Sequence, residues 1–162
     1  MGYRSDVYMC IRGPLKKMLT EVALLRLEGD KCMQDALDEW SLTAVELGRA
    51  VLVLGGNGTD WKWYEDFPDV QAHLAVFQHF QTLAEDDDES NFGGNFSRIG
   101  EETDDVVQDY FGDGDELACI VRTIDRSYTG SGVDLRPRIE EARQKAIEQY
   151  NLEARKRHNQ TS

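Results

Sequence analysis

The sequence predicts an α+β fold, a mostly antiparallel sheet with helices packed on one face. Three observations carry that expectation. Short runs of β-formers alternate with stretches whose apolar residues recur at helical spacing. The alternation lacks the regular strand-helix-strand rhythm and the strand-turn-helix glycine fingerprint of a doubly wound parallel sheet. The chain has 162 residues, 40% of them hydrophobic, and a chain of that size buries roughly 68–70% of its unfolded surface around one ordinary core. A single domain over residues 1–152 with a polar tail over 153–162 follows.

Tyr3 to Ile11 reads as a first strand, ended by Gly13-Pro14, with Pro14 at the start of a helix. Leu15, Met18, Leu19, Val22 and Ala23 lie on one face of that helix, and Lys16 and Lys17 lie off it. Gly29-Asp30 interrupts the pattern, which Cys32, Met33, Ala36, Leu37 and Trp40 resume as a shorter helical piece. Ala50 to Leu54, Gly55-Gly56-Asn57-Gly58 and Trp61-Lys62-Trp63-Tyr64 read together as a β-hairpin with a flexible tip. Pro68 opens a helix with a broad apolar face through Val70, Leu74, Val76, Phe77, Phe80 and Leu83. It is expected to stop near Ala84, because the acids that follow oppose the helix macrodipole.

Asn91 to Gly94 reads as loop, Asn95 to Gly100 as a short strand, and Leu117 to Ile124 as a longer one. Thr129-Gly130-Ser131-Gly132 is a turn, Asp134 a helix cap, and Ile139, Ala142, Ala146, Ile147 and Tyr150 the narrow apolar stripe of a last helix. No segment is apolar for the ~18 residues of a membrane span. The first residues lack the features of a signal peptide, so residence in the cytoplasm is expected.

The net charge of −13 is concentrated: residues 60 to 116 hold 17 acids against Lys62 and Arg98, a net −15. Three knots supply most of it. They are Glu85-Asp86-Asp87-Asp88-Glu89, then Glu101, Glu102, Asp104, Asp105 and Asp109, then Asp113, Asp115 and Glu116. Like charges so close repel one another within a screening length of about 8 Å. A solvated loop, a divalent cation or a basic partner would each relieve them.

No catalytic constellation is legible. The phosphate-loop pattern is absent, and Gly55-Gly56-Asn57-Gly58 leads into a strand, so no helix N-terminus would meet a phosphate there. Gly130-Ser131-Gly132 is not a full nucleophile elbow. His73 and His79, six apart on one helix, point to different faces and cannot share a metal. Asp113-Gly114-Asp115-Glu116 does not follow the calcium-loop order. Cys10, Cys32 and Cys119 are odd in number and widely spaced, so they suggest buried thiols and neither a disulfide nor a zinc site. No cofactor and no metal is expected. Trp61 and Trp63 share a strand face, either as a cap on the core or as a stacking platform that Arg98 or Arg122 would complete.

Met1-Gly2-Tyr3-Arg4-Ser5-Asp6-Val7, the Trp61-Lys62-Trp63-Tyr64 strand leading to Pro68-Asp69-Val70, and Phe96-Ser97-Arg98-Ile99-Gly100-Glu101 with Asp104-Asp105 resemble a group of small acidic bacteriophage proteins of unassigned role. The resemblance touches three stretches within residues 1 to 105 and carries no catalytic residues. It implies a phage-encoded accessory protein in the host cytoplasm. The expected function is non-enzymatic binding of a host or defence protein with a basic surface, with possible nucleic-acid mimicry by Glu85, Asp86, Asp87, Asp88, Glu89, Glu101, Glu102, Asp104, Asp105 and Asp109. Direct binding to nucleic acid or membrane is not expected. A second expectation is a nucleotide-sequestering protein using Trp61, Trp63, Arg98 and Arg122. A third is a virion or assembly component that associates through the last helix.

Overall fold

In chain order the elements are β1 (Ser5–Pro14), α1 (Leu15–Glu28), α2 (Lys31–Asp38), β2 (Ser41–Val45), β3 (Arg49–Trp61), α3 (Pro68–Asp86), β4 (Gly93–Ile99), β5 (Val106–Phe111), β6 (Ala118–Ile120), β7 (Ile124–Arg126) and α4 (Arg136–Gln160). This computed structural model describes residues 3–102, 104–120, 124–126, 128 and 135–160. Thr129-Gly130-Ser131-Gly132, Asp134 and Arg122 lie outside the described residues.

Five strands form one antiparallel sheet in the order β2-β3-β1-β4-β5, and β6 and β7 form a separate two-stranded hairpin. β1 is central, which is why Val7, Tyr8, Met9, Cys10 and Ile11 are all fully buried: each faces a packed layer on one side or the other. On one face Val7, Met9, Ile11, Leu52 and Leu54 meet Met18, Val22, Leu37, Val70, Val76, Phe77, Phe80 and Ile139 from the helices. On the other face Tyr8, Cys10, Val51 and Val53 meet Leu117, Ala118 and Ile124 from the small hairpin. The α+β architecture with its helices on one face is therefore the expected one.

Several elements differ from expectation. The glycine run is not a hairpin tip. β3 is one long strand that pairs with β1 and β2, and residues 57–60 bulge out of it opposite Asp6, between the Val7–Gly56 and Ser5–Trp61 pairs. Thr59 repairs the interrupted ladder: its hydroxyl accepts from the Val7 N–H at 2.9 Å and donates to the Gly56 carbonyl at 3.1 Å. Leu117 to Ile124 is not one strand: Ala118–Ile120 pairs antiparallel with Ile124–Arg126, Ile120 standing opposite Ile124, and Leu117 precedes the first of these strands. Cys119, expected to be buried, is exposed, whereas burial pushes the Cys10 thiol up to about 11. Residues 153–160 continue α4 as helix. β2 and β5 have no counterpart in the sequence reading.

Candidate interaction surface

The acids are organised by the edge strand β5. It pairs with β4 from Ile99–Val106 to Gly94–Phe111, and it ends the sheet. The turn that enters β5 is built from the second acidic knot. The Gly100 N–H donates to the Asp105 carbonyl at 2.8 Å and the Asp105 N–H to the Glu102 carbonyl at 3.0 Å. The two residues just before β1 clamp this turn. The Tyr3 hydroxyl donates to Asp105 at 2.6 Å and accepts from the Glu102 N–H, while the Arg4 N–H donates to Glu101 Oε1 at 2.8 Å. Three carboxylates are thereby held outward: Glu101, Glu102 and Asp104 are exposed.

Asp105 is different. Arg98 grips it with two guanidinium nitrogens at 3.0 and 2.8 Å. The Arg98 hydrogen bonds, followed by that from Tyr3, hold its carboxyl below the usual aspartate range. The same contact pushes the Tyr3 phenol up. Asp105 is thus a structural acid, neutralised inside the chain, and Arg98 is engaged by it.

Asp109 stands exposed midway along β5. Beyond the end of β5, Arg12 pairs with Asp113 and reaches Glu116 at 3.3 Å. The first knot joins here. α3 runs two residues further than expected, to Asp86, and Asp87 caps the following turn by accepting from the Glu89 N–H at 2.9 Å. Glu85, Phe111, Gly112 and Asp113 line one depression of about 460 Å³, so the end of α3 lies against the end of β5. Glu85, Asp86, Asp87 and Glu89 are exposed; Asp88 belongs to the same turn. Basic groups also border this end: Lys17 Nζ lies 3.4 Å from the Glu89 carbonyl and Arg49 donates to the Asn91 carbonyl at 3.0 Å.

A line of carboxylates therefore follows one sheet edge. Glu101, Glu102 and Asp104 stand before β5, Asp109 along it, and Glu85, Asp86, Asp87 and Glu89 beyond it. A six-residue strand spans about 20 Å. Sequence reasoning found the acids but missed the strand that aligns them. The signal was Val106-Val107-Gln108-Asp109-Tyr110-Phe111, a run of β-formers interrupted by two polar residues.

The tryptophans lie elsewhere, around the buried His73 at the α3 side of the sheet. Trp61 and Trp63 meet edge to face with centroids 5.1 Å apart, and each also packs on His73, at 5.0 and 6.2 Å. Trp63 is buried and Trp61 half-buried. Their rings thus fill the core rather than stand beside Arg98, whose guanidinium is directed to Asp105. His79 faces away from His73 and meets Glu21 at 2.8 Å. Among the described residues no group of His, Cys, Asp and Glu is arranged to hold a metal ion, and no helix is long and apolar enough to cross a membrane.

No protein-family model, curated protein or solved structure matches this chain.

Proposed function

We propose that this chain is a non-enzymatic interaction protein whose acidic sheet edge engages the basic surface of a partner protein. The observation that carries the reading is the separation of the acids into two kinds. Asp105 and Asp113 are neutralised by Arg98 and Arg12, whereas Glu101, Glu102, Asp104, Asp109 and Glu85 to Asp87 are exposed along one rim. Duplex DNA carries one charge per about 1.7 Å of axis, so a protein that binds DNA offers an extended basic track and not a point charge. A rim about 20 Å long on a rigid strand suits such a track, and the clamped turn before β5 presents its acids at little cost in ordering. The resemblance to small acidic phage proteins supports a host or defence protein in the host cytoplasm as the partner. A nucleotide-sequestering role is less favoured, because Trp61 and Trp63 pack on His73 in the core.

Affinity capture of the tagged protein from host lysate at low and high salt tests this, with the Asp86→Lys, Asp87→Lys, Asp104→Lys, Asp109→Lys variant as control. The expected result is a basic, DNA-binding partner that high salt and charge reversal both release. A partner retained equally by the reversed protein would overturn the reading.

A further inference from the structure

The two edges of the sheet are not alike. On β2, Leu42 and Thr43 are buried. On β5 the first five residues, Val106 to Tyr110, are all exposed. Val106, Val107 and Tyr110 are 43%, 37% and 55% exposed, apolar or aromatic side chains of a kind that normally packs against a neighbouring strand. They alternate across the edge: Val107 lies on the helix side with Phe111, and Val106 and Tyr110 lie on the hairpin side with Gln108, whose amide donates to the Ala118 carbonyl at 3.2 Å. Among the described residues no strand pairs with the outer side of β5.

Natural sheets blunt an open edge with lysine, proline, a bulge or a covering segment. β5 contains no lysine, proline or glycine, and its pairing with β4 is continuous without a register shift. Among the described residues its guard is negative charge: Asp109 in its middle and exposed acids beyond both ends. That guard is selective. A second copy of this chain pairing antiparallel at the same edge would bring its Asp109 close to the first copy's Asp109 and set the acids before β5 of one copy against those beyond β5 of the other, and like charges directly opposite are destabilising. An extended segment rich in lysine or arginine meets attraction instead. A helix gains less from the edge, since its backbone groups are already paired within itself.

From this we infer that β5 is a docking edge for an extended basic segment of a partner protein, which adds as a sixth strand beside Val106–Phe111. Backbone hydrogen bonds to β5 supply affinity, Val106, Val107 and Tyr110 pack its apolar side chains, and the flanking carboxylates receive its basic ones. The inference rests on the acidic-surface reading and specifies how that surface recognises its partner.

The test uses the intact protein and a fluorescent octapeptide of alternating lysine and valine, with a second octapeptide of the same sequence N-methylated at alternate amides. Both carry the same charge, and only the first can extend the sheet. Fluorescence anisotropy is expected to show the unmethylated peptide binding at least about tenfold more tightly, the effect of losing several backbone hydrogen bonds. Hydrogen exchange is expected to slow at residues 106–111. Val107→Lys with Tyr110→Lys should abolish the difference between the peptides, with circular dichroism checking that the variant folds. Equal binding of the two peptides by the wild-type protein would overturn strand addition while leaving the acidic-surface reading in place. Binding of neither would also overturn it, and salt-sensitive capture of a basic partner would then show that the broader reading survives. Sedimentation showing self-association that the same double variant abolishes would assign the edge to a second copy and overturn the inference.

Discussion

Arg98 and Asp105 form a two-pronged ion pair, 3.0 and 2.8 Å, across the β4–β5 turn, with the Tyr3 hydroxyl as a third ligand of the carboxylate at 2.6 Å. Asp104, its neighbour in sequence, is exposed. Two adjacent aspartates thus have opposite assignments, one holding the turn and one available to a partner. Asp105→Lys should lower stability by about 1–3 kcal/mol, because it strands a partly buried guanidinium as well as removing its partner. Asp104→Lys should stay within about 0.5 kcal/mol and weaken partner binding. Thermal melts of both variants beside a binding assay separate the two; equal destabilisation would show that the turn does not distinguish them.

That distinction could not be read from the sequence, in which Glu101, Glu102, Asp104 and Asp105 form one acidic knot. The elements that were legible are those whose burial is one-sided and local. The apolar face of α1 through Met18, Leu19, Val22 and Ala23 is buried as its periodicity requires, and so is that of α3 through Val70, Val76, Phe77 and Phe80. β3 was misread because a glycine run signals a hairpin by local rules, whereas long-range pairing with β1 carries the strand across the bulge. β5 was missed because its side chains are mostly exposed and its order comes from pairing with β4. The positions of the acids were visible; their alignment depends on a strand that tertiary structure creates.

The buried His73 makes stability pH-dependent. Trp40 Nε1, which can only donate, gives its proton to His73 Nδ1 at 2.9 Å, so the neutral ring carries its own proton on Nε2. That atom lies 3.2 Å from Glu39 Oε2 without a well-aligned hydrogen bond. Burial lowers the His73 pKa to about 4, against a smaller opposing pull from Asp69. The unfolded chain, with its histidine near 6.5, takes up this proton first. Stability should therefore fall as pH drops from about 6.5 towards about 4, by on the order of 3 kcal/mol, and this contribution should level off below that. Asp105, with its carboxyl held low, adds a further loss only as pH falls below the ordinary aspartate value of about 3.9. Urea midpoints across this range should show the first step in wild type and a much smaller one in His73→Gln. An unchanged profile in that variant would exclude His73 as its source.

Gly55, paired with Tyr8 just before the β3 bulge, and Gly58, within the bulge, offer a matched pair. Both have left-handed backbone, φ of 74° and 78°. A Cβ on Gly55 would lie 2.1 Å from the Val7 carbonyl oxygen, whereas one on Gly58 meets nothing within 4 Å. Gly58→Ala should cost only the left-handed penalty, about 1 kcal/mol. Gly55→Ala should cost about 1–3 kcal/mol more, because β1 and β3 must separate at the centre of the sheet. Chemical denaturation of the two variants measures the difference, and similar losses would mean that β1 and β3 do not approach so closely.

Leu47 sits at the tip of the β2–β3 connection with φ 62° and ψ 33°, and its side chain is 95% exposed. A branched aliphatic residue gains nothing there: it contributes no burial and occupies a backbone region costing an L-residue about 1–2 kcal/mol. Asparagine adopts the same conformation more readily. Leu47→Asn should therefore raise stability by up to about 1 kcal/mol, a melting temperature higher by roughly 2–4 °C for a chain of this size. The substitution also removes the most exposed large apolar side chain of the described residues. Because Leu47 follows β2 and lies off the β5 edge, the same variant should bind a basic partner unchanged. A loss of stability would show that the left-handed turn is not strained by leucine, and a loss of binding would place the β2–β3 tip within the interaction surface.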